Sequence, residues 1–119
     1  LREIKQRLSA ILGQDAETRA CKYLQTQGLQ LVIKNYRCRS GEIDLIMQDH
    51  HEWVFVEVKY RSRTHFGHPA EYFDTKKRRK FESAMFQYMQ QKGLNPALVP
   101  HRIDLIAITG KHIQWIKQL

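Results

Sequence analysis

Two stretches decide the fold: Gly41-Glu42-Ile43-Asp44-Leu45-Ile46 and, beyond a polar loop, Val54-Phe55-Val56-Glu57-Val58-Lys59. Both are rich in Ile, Val and Phe and short enough to be strands. Asp49-His50-His51 reads as a hairpin loop, so the predicted strands run from Glu42 to Gln48 and from Glu52 to Arg61. Pairing them brings Asp44 near Glu57 and Lys59. Two carboxylates and an ammonium then meet in largely apolar surroundings. Isolated charge is costly there, and a divalent cation is the obvious partner.

Strand parity sharpens the picture. Glu57 and Lys59 share one face, and Val56 and Val58 share the other. Arg61 and Arg63 keep the parity of Glu57 if the strand continues. A carboxylate followed by a row of cations suits a phosphodiester backbone. A metal polarises the phosphate and acidifies a bound water, the lysine orients the nucleophile or stabilises charge, and the arginines hold neighbouring phosphates. Glu-x-Lys by itself is common on exposed strands with ordinary salt bridges. Here it interrupts a run too apolar for a solvated strand.

Working outward, Ile4 to Gln27 is predicted to be a helix, with Leu8, Ile11, Leu12, Ala16, Ala20, Tyr23 and Leu24 on its apolar face. Gly13 marks either a break or a close packing point, and Gly28 ends the helix. Leu29 to Tyr36 is strand-like, and Ser40-Gly41 makes a turn. A second helix starts at Pro69 or Asp74 and runs to Lys92, with Phe73, Phe81, Ala84, Met85, Tyr88 and Met89 on one face. Arg102 to Thr109 and Ile113 to Lys117 are further strands. The order is helix, three-strand meander, helix, one or two strands: an α/β chain with a mixed sheet that the two helices must cover.

With 119 residues, 42% hydrophobic and 27% charged, residues 1–119 read as a single globular domain. No apolar run reaches the ~20 residues needed to span a bilayer, and there is no signal-peptide pattern. The sequence begins at Leu1 rather than Met, which leaves room for a preceding piece. Cys21 and Cys38 suggest neither a disulfide framework nor a zinc site, and free thiols fit a reducing cytoplasm. The six histidines show no metal-ligand spacing. The net charge of +8 is clustered at Lys76-Lys77-Arg78-Arg79-Lys80 and around Lys34, Arg37 and Arg39. Cations flanking the acidic site on both sides in sequence favour nucleic acid over a membrane surface or an acidic protein. On a helix, Lys76, Lys80 and either Lys77 or Arg79 share a side.

These residues resemble the PD-(D/E)xK nuclease superfamily, with its restriction-endonuclease-like core. Asp44, Glu57 and Lys59 match its acid…acid-x-lysine pattern, although Ile43 stands where a proline often precedes the first acid. Within the superfamily the chain is similar to the YraN-type family of bacterial proteins, itself similar to archaeal Holliday-junction resolvases. The matching pieces are Gly13 with Glu17, Asn35-Tyr36-Arg37, Gly41 to Ile46, Val54 to Arg61, Phe66-Gly67, and Arg102 to Ile106. The resemblance implies a Mg²⁺- or Mn²⁺-dependent endonuclease. Asp44, Glu57 and the Val58 carbonyl would bind the ion, Glu17 would complete the site, and Lys59 would orient the attacking water. It also implies a DNA substrate (more than RNA), branched or structured, and a two-fold homodimer. Arg37, Arg39, Arg61, Arg63, Lys76, Arg79 and Lys80 are the candidate nucleic-acid contacts. Asp104 is either functional by the same analogy or a charge partner for Arg102, and Glu42 is expected on the side of Asp44. Ile113, Trp115 and Ile116 are core or interface. The competing reading is a nucleic-acid-binding module that keeps the fold and does not cut. A structural adaptor fits the charge distribution less well.

Overall fold

The computed structural model describes residues 1–61 and 73–119, with backbone alone for Ser9 and Ala10. Helix α1 (Arg2–Thr26) leads into strands β1 (Gln30–Cys38), β2 (Gly41–Asp49) and β3 (Glu52–Tyr60). Helix α2 (Thr75–Gln91) and strands β4 (His101–Thr109) and β5 (His112–Ile116) follow. One sheet holds the strands in the order β1-β2-β3-β4-β5. The first three form an antiparallel meander, β4 lies parallel to β3 after the α2 crossover, and β5 folds back antiparallel on β4. This is the mixed α/β order read from the sequence.

The helices take opposite faces. Ala16, Ala20, Cys21 and Leu24 of α1 pack with Leu45, Met47, Val54, Val56, Val58, Ile106 and Ile108. Phe81, Ala84, Met85, Tyr88 and Met89 of α2 pack with Ile43, Ile46, Phe55 and Ile103 on the other side. A sheet covered on both faces needs apolar residues at every position, which is why β3 and β4 read as near-continuous hydrophobic runs. Asp74 caps α2 by accepting a 2.8 Å hydrogen bond from the Lys77 N–H. The other predicted start, Pro69, lies outside the described residues, as do Arg63, Phe66 and Gly67.

Two expectations for α1 are corrected. Leu8, Ile11 and Leu12 were read on one apolar face with Ala16 and Ala20, yet they are 54%, 60% and 44% exposed, whereas Ala16 and Ala20 are buried. A helix of 25 residues is about 37 Å long, longer than the strip of sheet it crosses, so only its second half is covered. Gly13 is neither a break nor a packing point: α1 runs through it unbroken, and a Cβ there would meet nothing within 4 Å. The tight glycine is Gly41. A Cβ on it would lie 3.1 Å from the Lys80 backbone carbonyl, so glycine lets the start of β2 pass beneath α2.

On β4, opposite Val56 of β3, Asp104 is fully buried and fully partnered. It accepts from Arg102 Nε at 3.1 Å, from Trp115 Nε1 at 2.9 Å and from the Gln118 N–H at 3.1 Å. Arg102 also reaches Glu52 at 2.6 Å and Asp49 at 3.2 Å. Asp104 is a charge partner of Arg102, one of the two readings left open for it. Ile113 and Trp115 pack against the core on the α1 side.

Candidate active site

β2 and β3 pair from Asp49–Glu52 as far as Leu45–Val56. One step further along that register would set Asp44 opposite Glu57. There the strands part: the residues before Asp44 stay paired with β1, and Glu57 to Tyr60 stay paired with β4. Side-chain alternation also breaks at this point. Ile43 packs on the α2 side and Leu45 on the α1 side, although residues two apart in a regular strand share a face. Across the opening, Asp44 Oδ2 accepts a 2.8 Å hydrogen bond from the Val58 N–H. A side chain thus satisfies a donor that the ladder no longer serves.

Among the described residues three carboxyls converge on the opening. Asp44 hydrogen-bonds with both Glu17, from α1, and Glu57, from β3. Burial, the neighbouring Glu57 charge and its hydrogen bond push the Asp44 carboxyl up to about 7, against the partial relief from the Val58 N–H. Burial and then the Asp44 charge push Glu17 up to about 7, with Asn35 donating a stabilising hydrogen bond. Burial raises Glu57 too, opposed by Asp44's hydrogen bond and by the Lys59 charge. The carboxyls therefore bond to one another in a chain with Asp44 at its centre. Among the described residues no three His, Cys, Asp or Glu side chains are already spread around a point as a metal cage. Glu42, exposed at the rim, adds negative potential at Glu17 and Glu57 and pairs with Arg37 at 3.5 Å.

On the α2 side the carboxyl chain opens into a cleft of about 260 Å³. Glu57 and Lys59 form one wall and Lys77 and Lys80 the other, above a floor of Phe73, Phe81 and Leu105. Of the basic run, Lys77 and Lys80 face this space, while Lys76 and Arg79 are exposed on the helix without lining it. Arg61 follows the end of β3 and donates from Nε to Thr109 Oγ1 at 2.9 Å. Arg37 and Arg39 are exposed at the end of β1 and beyond it.

Asn35 carried no role in the sequence reading, and Lys77 entered it only as an alternative to Arg79 on one side of the helix. Asn35 sits beside Glu17 at φ +53. The available signal was an asparagine inside a predicted strand, a poor β-former that tolerates left-handed backbone. Lys77 lay in plain view within the basic run, but only the placement of α2 decides which of its lysines look inward.

A helix, a three-strand meander, a crossover helix and a parallel strand, with acids where β2 and β3 separate, define a restriction-endonuclease-like α/β fold. The chain belongs to the uncharacterised protein family UPF0102, the YraN family, whose profile matches residues 16–108. A UPF0102 protein of Shewanella loihica is 47% identical over 104 residues, covering 87% of this chain and 89% of the relative. One of Janthinobacterium is 44% identical over 107 residues (90% and 85%), and one of Pseudomonas putida 41% over 110 (88% of each). Among the described residues no helix is long and apolar enough to cross a membrane.

Proposed function

We propose that this protein is a phosphodiesterase that cleaves DNA, using Mg²⁺ or Mn²⁺ held by Asp44, Glu57, the Val58 carbonyl and Glu17. The observation that carries the reading is the meeting of the Glu17, Asp44 and Glu57 carboxyls beside Lys59. The donor set is all hard oxygen, which suits these ions over softer ones. Crowded carboxyls with raised pKa values hold protons that a divalent cation can displace. When bound, such an ion supplies Lewis acidity towards a phosphate oxygen and lowers the pKa of a bound water. Lys59 orients the nucleophile and offsets charge developing on the phosphate. Lys77, Lys80 and Arg61 hold flanking phosphates, and the net charge of +8 draws the polyanion in. The free thiols Cys21 and Cys38 suit a cytoplasmic enzyme. Branched DNA as substrate and a two-fold dimer as the working form rest on the resemblance to resolvases.

The test is a panel of single-stranded, duplex, flap and four-way DNA, plus RNA, incubated with Mn²⁺ beside Asp44→Ala and Glu57→Ala. Cleavage of a DNA that both variants lose supports the proposal. Cleavage that survives both substitutions overturns it. Tight DNA binding with no cleavage of any substrate overturns it in favour of a non-catalytic binding module.

A further inference from the structure

Phosphate contacts and a metal site explain the lysines and the carboxyls. They do not explain an apolar chamber beside them. The floor of the cleft is Phe73, Phe81 and Leu105, and the two phenyl rings meet edge to face with centroids 5.3 Å apart. Lys59, Lys77 and Lys80 stand around that floor. Phe81 and Leu105 are buried, so the half-exposed Phe73 is the ring this apolar floor offers, and a ring rimmed by ammonium groups matches the two halves of a nucleotide, a base with a π-face and an anionic phosphate.

We infer that this cleft receives the base of an unpaired nucleotide next to the scissile phosphate, so that the site selects nucleic acid with an unstacked nucleotide at the point of attack. This rests on the phosphodiesterase reading and names its substrate class. The cleft, at about 260 Å³, has room for one base. Position fixes which base. Glu57 and Lys59 belong both to the carboxyl site and to the cleft wall, so the two ends of one nucleotide reach both places at once. Charge agrees, since among the described residues three lysines face the cleft against Glu42 and Glu57. A paired base must leave its stack to enter, whereas a bulged, flap or single-stranded base has little to lose. A base stacked on an aromatic ring gains roughly 5- to 150-fold in affinity, which sets the size of the expected preference.

The experiment uses three DNAs of one sequence: a perfect duplex, the duplex with one unpaired 2-aminopurine, and the same bulge with an abasic residue. Binding is measured in EDTA by anisotropy and by 2-aminopurine fluorescence, with the parent, Phe73→Leu and Phe73→Tyr. The parent is expected to bind the 2-aminopurine bulge at least roughly fivefold more tightly than its abasic twin, with a change in 2-aminopurine emission. Phe73→Leu keeps apolar packing and is expected to lose the preference without losing duplex affinity. Phe73→Tyr keeps the ring and the preference. Equal affinity for the base-bearing and abasic bulges overturns the inference. So does a Phe73→Leu loss shared equally by all three DNAs, which marks a packing role. A base preference that persists in a protein unable to cut any DNA with Mn²⁺ retains the pocket and removes the phosphodiesterase. Mn²⁺-dependent cleavage that ignores the presence of the base does the reverse.

Discussion

The Asp44 carboxylate accepts a hydrogen bond from the Val58 N–H at 2.8 Å across a gap where their strands no longer pair. That bond gives Asp44 two tasks, closing the backbone accounts of β3 and contributing charge to the carboxyl chain. The tasks can be separated by substitution.

Asp44→Asn keeps an acceptor oxygen for Val58 and removes the charge. The apo variant is expected to be more stable than the parent at pH 8, on the order of 2 kcal/mol after discounting for water at the site. Asp44→Ala gains less, because it leaves the Val58 donor without its partner. Mn²⁺ at a hundredfold excess over its dissociation constant should stabilise the parent by about 2.7 kcal/mol and neither variant. Chemical denaturation with EDTA or Mn²⁺ measures all of these. A marked loss of apo stability in Asp44→Asn contradicts the assignment.

The pH dependence of the apo protein has a defined sign. Asp44 and Glu17 stand at about 7 against ordinary values of 3.8 and 4.5, and Glu57 is raised as well. Between those limits the folded chain keeps protons that the unfolded chain has released. The site's contribution to stability is therefore full below the ordinary values and is lost as pH rises through about 7. The carboxyls are coupled, so the pH dependence belongs to the group and not to any one residue. Urea midpoints across this range in EDTA should fall for the parent and be flatter for the Glu17→Gln, Asp44→Asn double variant. Metal binding over the same range should release protons.

Lys59→Ala is expected to reduce turnover far more than affinity. One lost phosphate contact weakens binding modestly, whereas a misplaced nucleophile costs rate. Single-turnover cleavage beside equilibrium binding separates the two, and parental turnover in the variant removes Lys59 from the chemistry.

Salt dependence distinguishes the inward lysines from their neighbours. Each phosphate contact contributes about 0.9 to the slope of log affinity against log salt on duplex DNA. Lys77→Gln with Lys80→Gln should flatten the slope by roughly two contacts' worth. Lys76→Gln with Arg79→Gln should change it much less. Equal effects from the two pairs place the contact along the outer face of α2 instead.

Asp104 carries no expected role in cleavage and a large one in stability. Asp104→Leu removes one of the carboxylate partners of Arg102, which keeps Glu52 and Asp49, and it removes the acceptor of the Trp115 and Gln118 N–H groups. Each buried donor left without an acceptor costs about 1–3 kcal/mol, measurable by urea unfolding. Any folded fraction should cleave DNA at the parental rate, and selective loss of cleavage without loss of stability argues for a role at the site.

The hairpin was legible because β2 and β3 are apolar on both faces and joined by a short polar loop, which allows few other pairings. The proximity of Asp44 and Glu57 came from that register. Hidden was the end of the ladder one pair earlier, since a parting of strands leaves no compositional mark. The alternation break between Ile43 and Leu45 looks in sequence like ordinary apolar residues. The exposure of Leu8 and Ile11 was hidden for a related reason: periodicity reports which side of a helix is apolar, not how much of that side a neighbour covers. Gly41 could be read as a turn residue, but its contact with Lys80 needs the angle at which α2 crosses the sheet.

Glu17 belongs to the helix on one side of the sheet, Glu57 lines the cleft beneath the helix on the other, and Asp44 stands in the opening between them. The carboxyls act as a rivet passing through a hole in a plate. The three carboxyls thus join elements on both sides of the sheet through one opening, and a substitution at Asp44 is expected to be felt in α1 as well as in the cleft under α2.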